Sequence, residues 1–474
     1  MRAMTTMLNQ DEQQAIHESS LEVLEQAGIF CGSEKVRNLF AKHGAKVIGE
    51  NVRFPKAMVN EMLKLANHTI TFGARNEEHN FSIPAVEYPY VTTAGYVPYV
   101  TDEGVKKPRL AMKEDLAKFA QLSDALDEFG FFWPITLPND VESEFMEYQA
   151  VDTSFRNTSK HIQASTSNGK LARWQIELAT AIAGGTEKFR ANPNMSLLAA
   201  PMTPLSLEKG IAEATMECAL SGVAVVPMSL PQMASTSPAT YAGNAVLANA
   251  ENLACYLTAK CSAEDAPILY SADTGAPNMA TMGMEYDYPE YTLLAMANAD
   301  MARFYGLPSM VAAGMSEHKE FQTVAGFERN VFKSAMALMT RTDLSCSYGS
   351  VDHCISSNFA DILLDCESYK YAKAFLRSYK CTPEKLAVDI ICEVGPQGNY
   401  LAHEHTFMNF REELNVYNIE KSFVFDHEAD KDYRMVAQEK AEEIWANHEV
   451  PAIDEALIKE MDILSEKAHE DLVG

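Results

Sequence analysis

Apolar positions along the chain follow two spacings. Residues 10–46 carry helical periodicity, with Ile16, Leu21, Leu24 and Ala27 recurring at about three to five positions. A second helical stretch, 55–67, opens at Pro55, which suits a first turn because its missing N–H has no intrahelical partner there. From about residue 112 short apolar runs alternate with longer helical patterns, the sign of βα units. "GFFWPI", "HIQAST", "MSLLAA", "GVAVVPM", "PILYSA", "PSMVAAG" and "LSCSYG" are the strands, with helices near 168–184, 206–221, 238–260, 289–305, 323–341 and 357–378. The first gap reads as a loop.

This order fits a (β/α)8 TIM barrel or an open doubly wound sheet. Turn-forming or reactive residues follow many strands: 201–204, 227–231, 273–277, 314–319 and 349–353. Function spread over so many strand ends favours the barrel, since an open sheet concentrates its site at one switch point, and no G-x-G-x-x-G follows an early strand. The eighth strand is expected near "YPYVTTA" or after the last long helix. The resulting α/β layout is an N-terminal helical extension over 1–110, the barrel over 111–430 and C-terminal helices over 431–474. In the last, Ala441, Ile444, Trp445, Leu457, Met461 and Leu464 form an apolar stripe suited to packing on the barrel or to an oligomer interface.

Charge narrows the partners. With 39 Lys and Arg against 66 Asp and Glu, the formal charge of −27 opposes docking to nucleic acid or to anionic membranes. No apolar run is long enough to span a bilayer and no N-terminal run reads as a signal peptide, so a cytoplasmic protein is expected. The nine cysteines show neither C-x-x-C nor a paired spacing, which reads as reduced, buried thiols.

Candidate chemistry lies after the strands. Tyr348, Asp352 and His353 follow "LSCSYG"; the polar run Ser316 to Glu320, with Glu317, His318 and Lys319, follows "PSMVAAG". His403 and His405 in "HEHT" would face the same way on a strand, but a third metal ligand at a suitable spacing is missing, so no metal site is assigned. Aromatic residues recur at turns: Tyr88, Tyr90, Tyr96, Tyr99, Trp133, Tyr270, Tyr286 and Tyr288. Such residues usually fill cores, yet at a barrel mouth their ring faces bind a quaternary ammonium, with Glu251 as a countercharge.

The segments "APMTPLSLEKGIAEATMECALSGVAVVPMSLPQMASTSPATYAGNAVLANAENLACY", "YPEYTLLAMANADMARFYGLPSMVAAG" and "VGPQGNYLAHEHTFMNFREE" together resemble the trimethylamine methyltransferase superfamily, over about residues 10–470. The resemblance implies a TIM barrel that moves a methyl group from an amine to the cobalt of a separate corrinoid protein, with no tightly bound cofactor of its own. Some relatives carry pyrrolysine inside the barrel; by order along the chain its counterpart falls near Tyr348 to His353, where this chain has ordinary residues. That departure directs the expectation away from trimethylamine to quaternary amines such as glycine betaine, proline betaine or carnitine.

A betaine carboxylate would then want a cationic or hydrogen-bonding partner among His353, Arg303, His318 and Lys319. The expected substrate contacts are His353, Tyr348, Tyr96, Glu251, His318 and Arg303, while His403 and His405 are assigned to the corrinoid-facing side. No catalytic residue is assigned, because a quaternary amine already carries a neutral leaving group. The expected partners are the corrinoid protein, the small amine and further copies of the chain. Competing readings are a barrel lyase or hydrolase with Glu317 or His353 as general base, and a quaternary-amine binding protein without transfer.

Overall fold

The computed structural model describes residues 4–105, 107–312, 324–414 and 433–474. Eight parallel strands organise it: β1 Tyr90–Thr93, β2 Phe131–Phe132, β3 His161–Ser165, β4 Met195–Leu198, β5 Ala224–Val226 continuing at Met228–Ser229, β6 Tyr270–Ala272, β7 Ser309–Ala312 and β8 Leu344–Tyr348. Each is followed by a helix: α1 Lys113–Ala125, α2 Met146–Asn157, α3 Gly169–Ala183, α4 Lys209–Ser221, α5 Tyr241–Ser262, α6 Pro289–Tyr305, α7 Val324–Thr340 and α8 Phe359–Phe375. The strands form two parallel sheets, one running β2 to the first half of β5, the other from the second half of β5 through β6, β7 and β8 to β1. Single parallel bridges join the sheets at both seams, Val225 to Ile268 and Val91 to Phe129.

One element departs from the sequence expectation and another decides between two expected places, and both hide polar residues. The first gap holds the helix α2, whose buried residues include Gln149, Asp152, Thr153 and Ser154. Asp152 receives the Arg156 Nε at 3.0 Å and the Gln149 amide at 3.1 Å, so burial proceeds without an apolar stripe to advertise it. The strand in "YPYVTTA", one of the two places expected for the eighth strand, pairs with β8 and lies within the stretch 1–110. Its threonines are buried because they finish the seam: Thr92 Oγ1 donates to the Phe131 carbonyl at 2.9 Å and Thr93 Oγ1 to that of Trp133.

An antiparallel hairpin, Ile70–Phe72 with Phe81–Ile83, covers the N-terminal ends of the strands. Phe72 and Phe81 stack with centroids 4.9 Å apart, and His161 at the start of β3 meets Phe72 edge-on at 4.8 Å. Both imidazole nitrogens are engaged, Nδ1 with the Gly73 carbonyl at 2.6 Å and Nε2 with Ser196 Oγ at 2.9 Å. Burial holds this ring neutral, with its pKa pushed down to about 3.

The C-terminal helices Tyr433–Asn447 and Glu455–Leu472 pack on the outer helices. Trp445 meets Phe359 edge-on at 4.7 Å and donates to the Lys118 carbonyl, while Met461, Leu464 and Ala468 are buried. Between α8 and this pair, the described helices Pro383–Leu386, Val388–Val394 and Glu404–Glu413 bury no residue. No helix among the described residues is long and apolar enough to cross a membrane.

Candidate active site

Inward positions along β3 to β8 set the floor. Gln163 points across the interior and donates to Met310 Sδ of β7 at 3.6 Å, and the apolar cluster at this level includes Leu198, Val226, Leu269 and Leu344. One step further toward the C-terminal ends the inward residues shrink to Ser165, Ala200, Ala312 and Cys346. A packed barrel layer normally carries bulky branched residues; here these small ones stand beside Trp133 and Met228.

Near this layer stand unsatisfied polar groups. Asp273 directly follows β6 and is 7% exposed; its Oδ1 has no hydrogen-bond partner among the described residues. The phenol of Tyr291 lies beside it, also without a partner, and Tyr286 meets the Tyr291 ring edge-on with centroids 5.2 Å apart. Burial pushes the Asp273 carboxyl up to about 6, against the counteracting influence of Tyr291. The thiols of Cys346 and Cys354, both close enough to feel that carboxylate, are raised by burial and stay protonated at neutral pH. Such a surround offers ring faces and one acid to a ligand, the combination that suits a positive group without N–H donors.

The loops after β6 and β8 close over this corner. After β8, Ser350–Val351 and Ser356–Ser357 pair as a short hairpin, and its tip holds Asp352, His353 and Cys354 in succession at φ of 51°, 56° and 62°. Three non-glycine residues in the left-handed region cost roughly 1–2 kcal/mol each and persist only where their surroundings hold them. His353 supplies one such restraint, its Nδ1 bonding the Met284 carbonyl of the β6 loop at 2.9 Å. On the opposite side, Trp133 donates from Nε1 to Ser165 Oγ at 3.3 Å, and Tyr96 donates to the Ser165 carbonyl at 3.4 Å. Trp133 lies flat against the Gly95 backbone; a Cβ at 95 would sit 1.9 Å from the indole Cε2.

The structure brings only part of the expected residue set here. His353 and Tyr96 stand at the C-terminal ends of the strands. Tyr348 points into the helix layer, where its hydroxyl meets Ser334 Oγ at 3.1 Å and its ring meets Tyr369. Glu251 is not a countercharge awaiting a ligand: it accepts from Thr203 Oγ1 at 2.9 Å, the Leu205 N–H at 2.8 Å and Ser229 Oγ, fastening the loop after β4 to the end of β5. Arg303 ends α6 and so lies toward the start of β7, at the other end of the strands, paired with Asp300. His318 with Glu317 and Lys319 falls outside the described residues. His403 caps the helix Glu404–Glu413, accepting the His405 N–H at Nδ1 at 3.0 Å, so the two imidazoles do not share a strand face. Tyr291 and Gln163 were not singled out from the sequence; Asp273 was marked only as the first residue of the reactive turn 273–277 that follows a strand.

Comparison with known proteins agrees with this architecture. The family described as "Trimethylamine methyltransferase (MTTB)" matches residues 1–470. The chain is 28% identical over 444 residues to trimethylamine methyltransferase of Desulfitobacterium hafniense (strain DSM 10664 / DCB-2), covering 92% of this chain and 89% of that one. It is 27% identical over 452 residues to the glycine betaine methyltransferase of Desulfitobacterium hafniense (strain Y51), covering 94% of each. The crystal structure of the monomethylamine methyltransferase of Methanosarcina barkeri shares the fold at a TM-score of 0.52, with 9% identity over 93% of this chain and 89% of that one. With the family model matching almost the whole chain, the chain belongs to the trimethylamine methyltransferase family.

Proposed function

We propose that this methyltransferase takes a methyl group from a quaternary amine and passes it to the cobalt of a corrinoid carried by a separate protein, its eight strands closing as a (β/α)8 barrel around the donor. The observation that carries the reading is the buried corner of Asp273, Tyr286 and Tyr291 at the C-terminal strand ends, which matches a cation lacking N–H donors. A reduced corrinoid supplies the nucleophile and is the second substrate. The C–N electron pair leaves with the amine, which departs neutral, so the protein needs no general acid.

What this chain's residues contribute is position. Ring faces and the carboxylate hold the ammonium with one N-methyl directed outward, and the His353 to Met284 contact helps exclude water from the corner. The cation's charge disappears as the methyl leaves, so a strong anionic cage would stabilise the ground state more than the transition state. One acid, held near a pKa of about 6 by burial, keeps that bias small.

Turnover of a panel of trimethylamine, glycine betaine, proline betaine, carnitine, γ-butyrobetaine and choline, with reduced corrinoid as acceptor and its absorbance as readout, tests the reading. Methylation of the corrinoid by a quaternary amine and not by trimethylamine is expected. Methyl transfer from trimethylamine alone, or turnover without any corrinoid, overturns it.

A further inference from the structure

The helix α5 buries polar side chains along its length, Asn244, Glu251 and Asn252 among them. Asn244 and Glu251 share one side of the helix, and that side grips the end of β5. Asn244 Nδ2 donates to the Pro231 carbonyl at 2.9 Å, and the Glu251 carboxylate accepts from Ser229 Oγ. Asn252 Oδ1 accepts the Ser271 N–H of β6 at 3.1 Å. From the loop after β4, Thr203 Oγ1 and the Leu205 N–H fix the same Glu251 carboxylate at 2.9 and 2.8 Å. Leu205 stands in the left-handed region at φ 50°, and its carbonyl accepts the N–H of Phe30 at 2.9 Å. A carboxylate with donors from two elements cannot swing, so the Ser229 hydroxyl meets a fixed acceptor.

The turn that carries Asp273 is fastened to Ser229 in turn. Asp273 donates its N–H to the Ser229 carbonyl at 2.9 Å, and Met233 donates its N–H to the Gly275 carbonyl at 2.9 Å, so the chain leaving β5 runs alongside the chain leaving β6. The path from Glu251 to Asp273 is therefore one hydrogen bond to the Ser229 hydroxyl and one from the Asp273 N–H to the Ser229 carbonyl.

We propose that Glu251 is a positioning residue for the methyl donor: through Ser229 it holds the turn that aims the Asp273 carboxylate at the ammonium, an inference that rests on the reading of the corner given above. What Glu251 supplies is geometry, since its two oxygens are spent on three donors. Glutamine can supply the same geometry without the charge. Its amide nitrogen, in the place of Oε2, donates to the Ser229 and Thr203 hydroxyls, which turn to accept, while its oxygen keeps the Leu205 N–H.

Calorimetric titration of the full chain with tetramethylammonium, a quaternary cation with no polar arm, tests the assignment. Glu251→Ala is expected to weaken binding about tenfold, and Glu251→Gln to stay within about threefold of the unaltered chain. In an Asp273→Asn background Glu251→Ala is expected to cost less than about twofold more, because the group it positions is gone. Ser229→Ala cuts the same link while leaving Glu251 its bonds to Thr203 and Leu205, and it serves where Glu251→Ala folds poorly; its loss is expected to depend on Asp273 in the same way. Equal losses in both backgrounds, or a Gln variant as weak as the Ala variant, overturn the positioning role and leave the reading of the corner standing. Tetramethylammonium that fails to bind the unaltered chain overturns that reading and this inference together.

Discussion

The two ends of the strands bury titratable groups by the same physics and finish them differently. At the N-terminal end, desolvation drives His161 to the neutral form, and the ring then bonds Gly73 and Ser196 with both nitrogens. At the C-terminal end, desolvation drives the Asp273 carboxyl upward in the same sense, against the charged form, yet Oδ1 is left without a partner. The His161 ring is spent on protein partners, whereas Asp273 Oδ1 has none among the described residues; burial alone does not tell the two groups apart, and the difference lies in whether the polar atom is spent.

Substitutions separate the two ends. The largest effect is expected at the hairpin over the N-terminal ends: Phe72→Ala removes a fully buried ring stacked on Phe81 and should lower unfolding free energy by about 3–5 kcal/mol in denaturant titration, while the folded fraction keeps its affinity for the quaternary amine. An equal loss of affinity would tie the ends together and break the contrast. At the mouth, Tyr286→Leu should weaken quaternary-amine binding by about tenfold, from roughly 1–2 kcal/mol of ring-to-cation attraction, and Tyr286→Phe should retain most of it. A Phe variant as weak as the Leu variant would reassign Tyr286 to its hydroxyl.

The pH response sharpens the contrast next. Asp273 binds its proton more tightly in the folded chain, at a pKa of about 6, than in the unfolded one. Its contribution to stability is therefore full at low pH and is lost as pH rises from the ordinary carboxyl value of about 4 through the folded one. Affinity for a cation runs the other way, rising as pH passes upward through about 6, because only the ionised acid attracts it. Binding titrations across this window should show the rise, and Asp273→Asn should abolish it. The smallest effect is expected from His353→Ala, which removes one hydrogen bond between the β6 and β8 loops and should cost about 1 kcal/mol in substrate affinity with little change in melting temperature. A large melting shift would make His353 a fold residue.

The helices from α3 to α8 were readable because each presents a long apolar pattern closed by a polar or glycine boundary, as in α3 between Asn168 and Gly184. α2 and β1 were harder because they bury Gln149, Asp152, Thr92 and Thr93, whose hydrogen bonds are invisible in a hydropathy pattern. The site divided along the same line. Trp133, Tyr96, Tyr286 and His353 stood out by residue type and by following strands. Glu251 and Tyr348 looked equally suitable, and only their spent hydrogen bonds distinguish them from Asp273.

The pairing of Tyr90–Thr93 with Leu344–Tyr348 also sets an order of events during synthesis. The hairpin that covers the N-terminal ends emerges early, but its stacking partner His161 and the strand that completes β1 come much later, the last only after residues 94–343 have been made. The rings of Phe72 and Phe81 gain their aromatic neighbours once His161 is made, but the edge of β1 facing β8 stays open until Leu344–Tyr348 emerges. Closure between such distant segments is slow because the loop entropy is lost before the contacts form. The nascent chain thus carries one unpaired strand edge through most of its synthesis, an edge that the finished protein does not show.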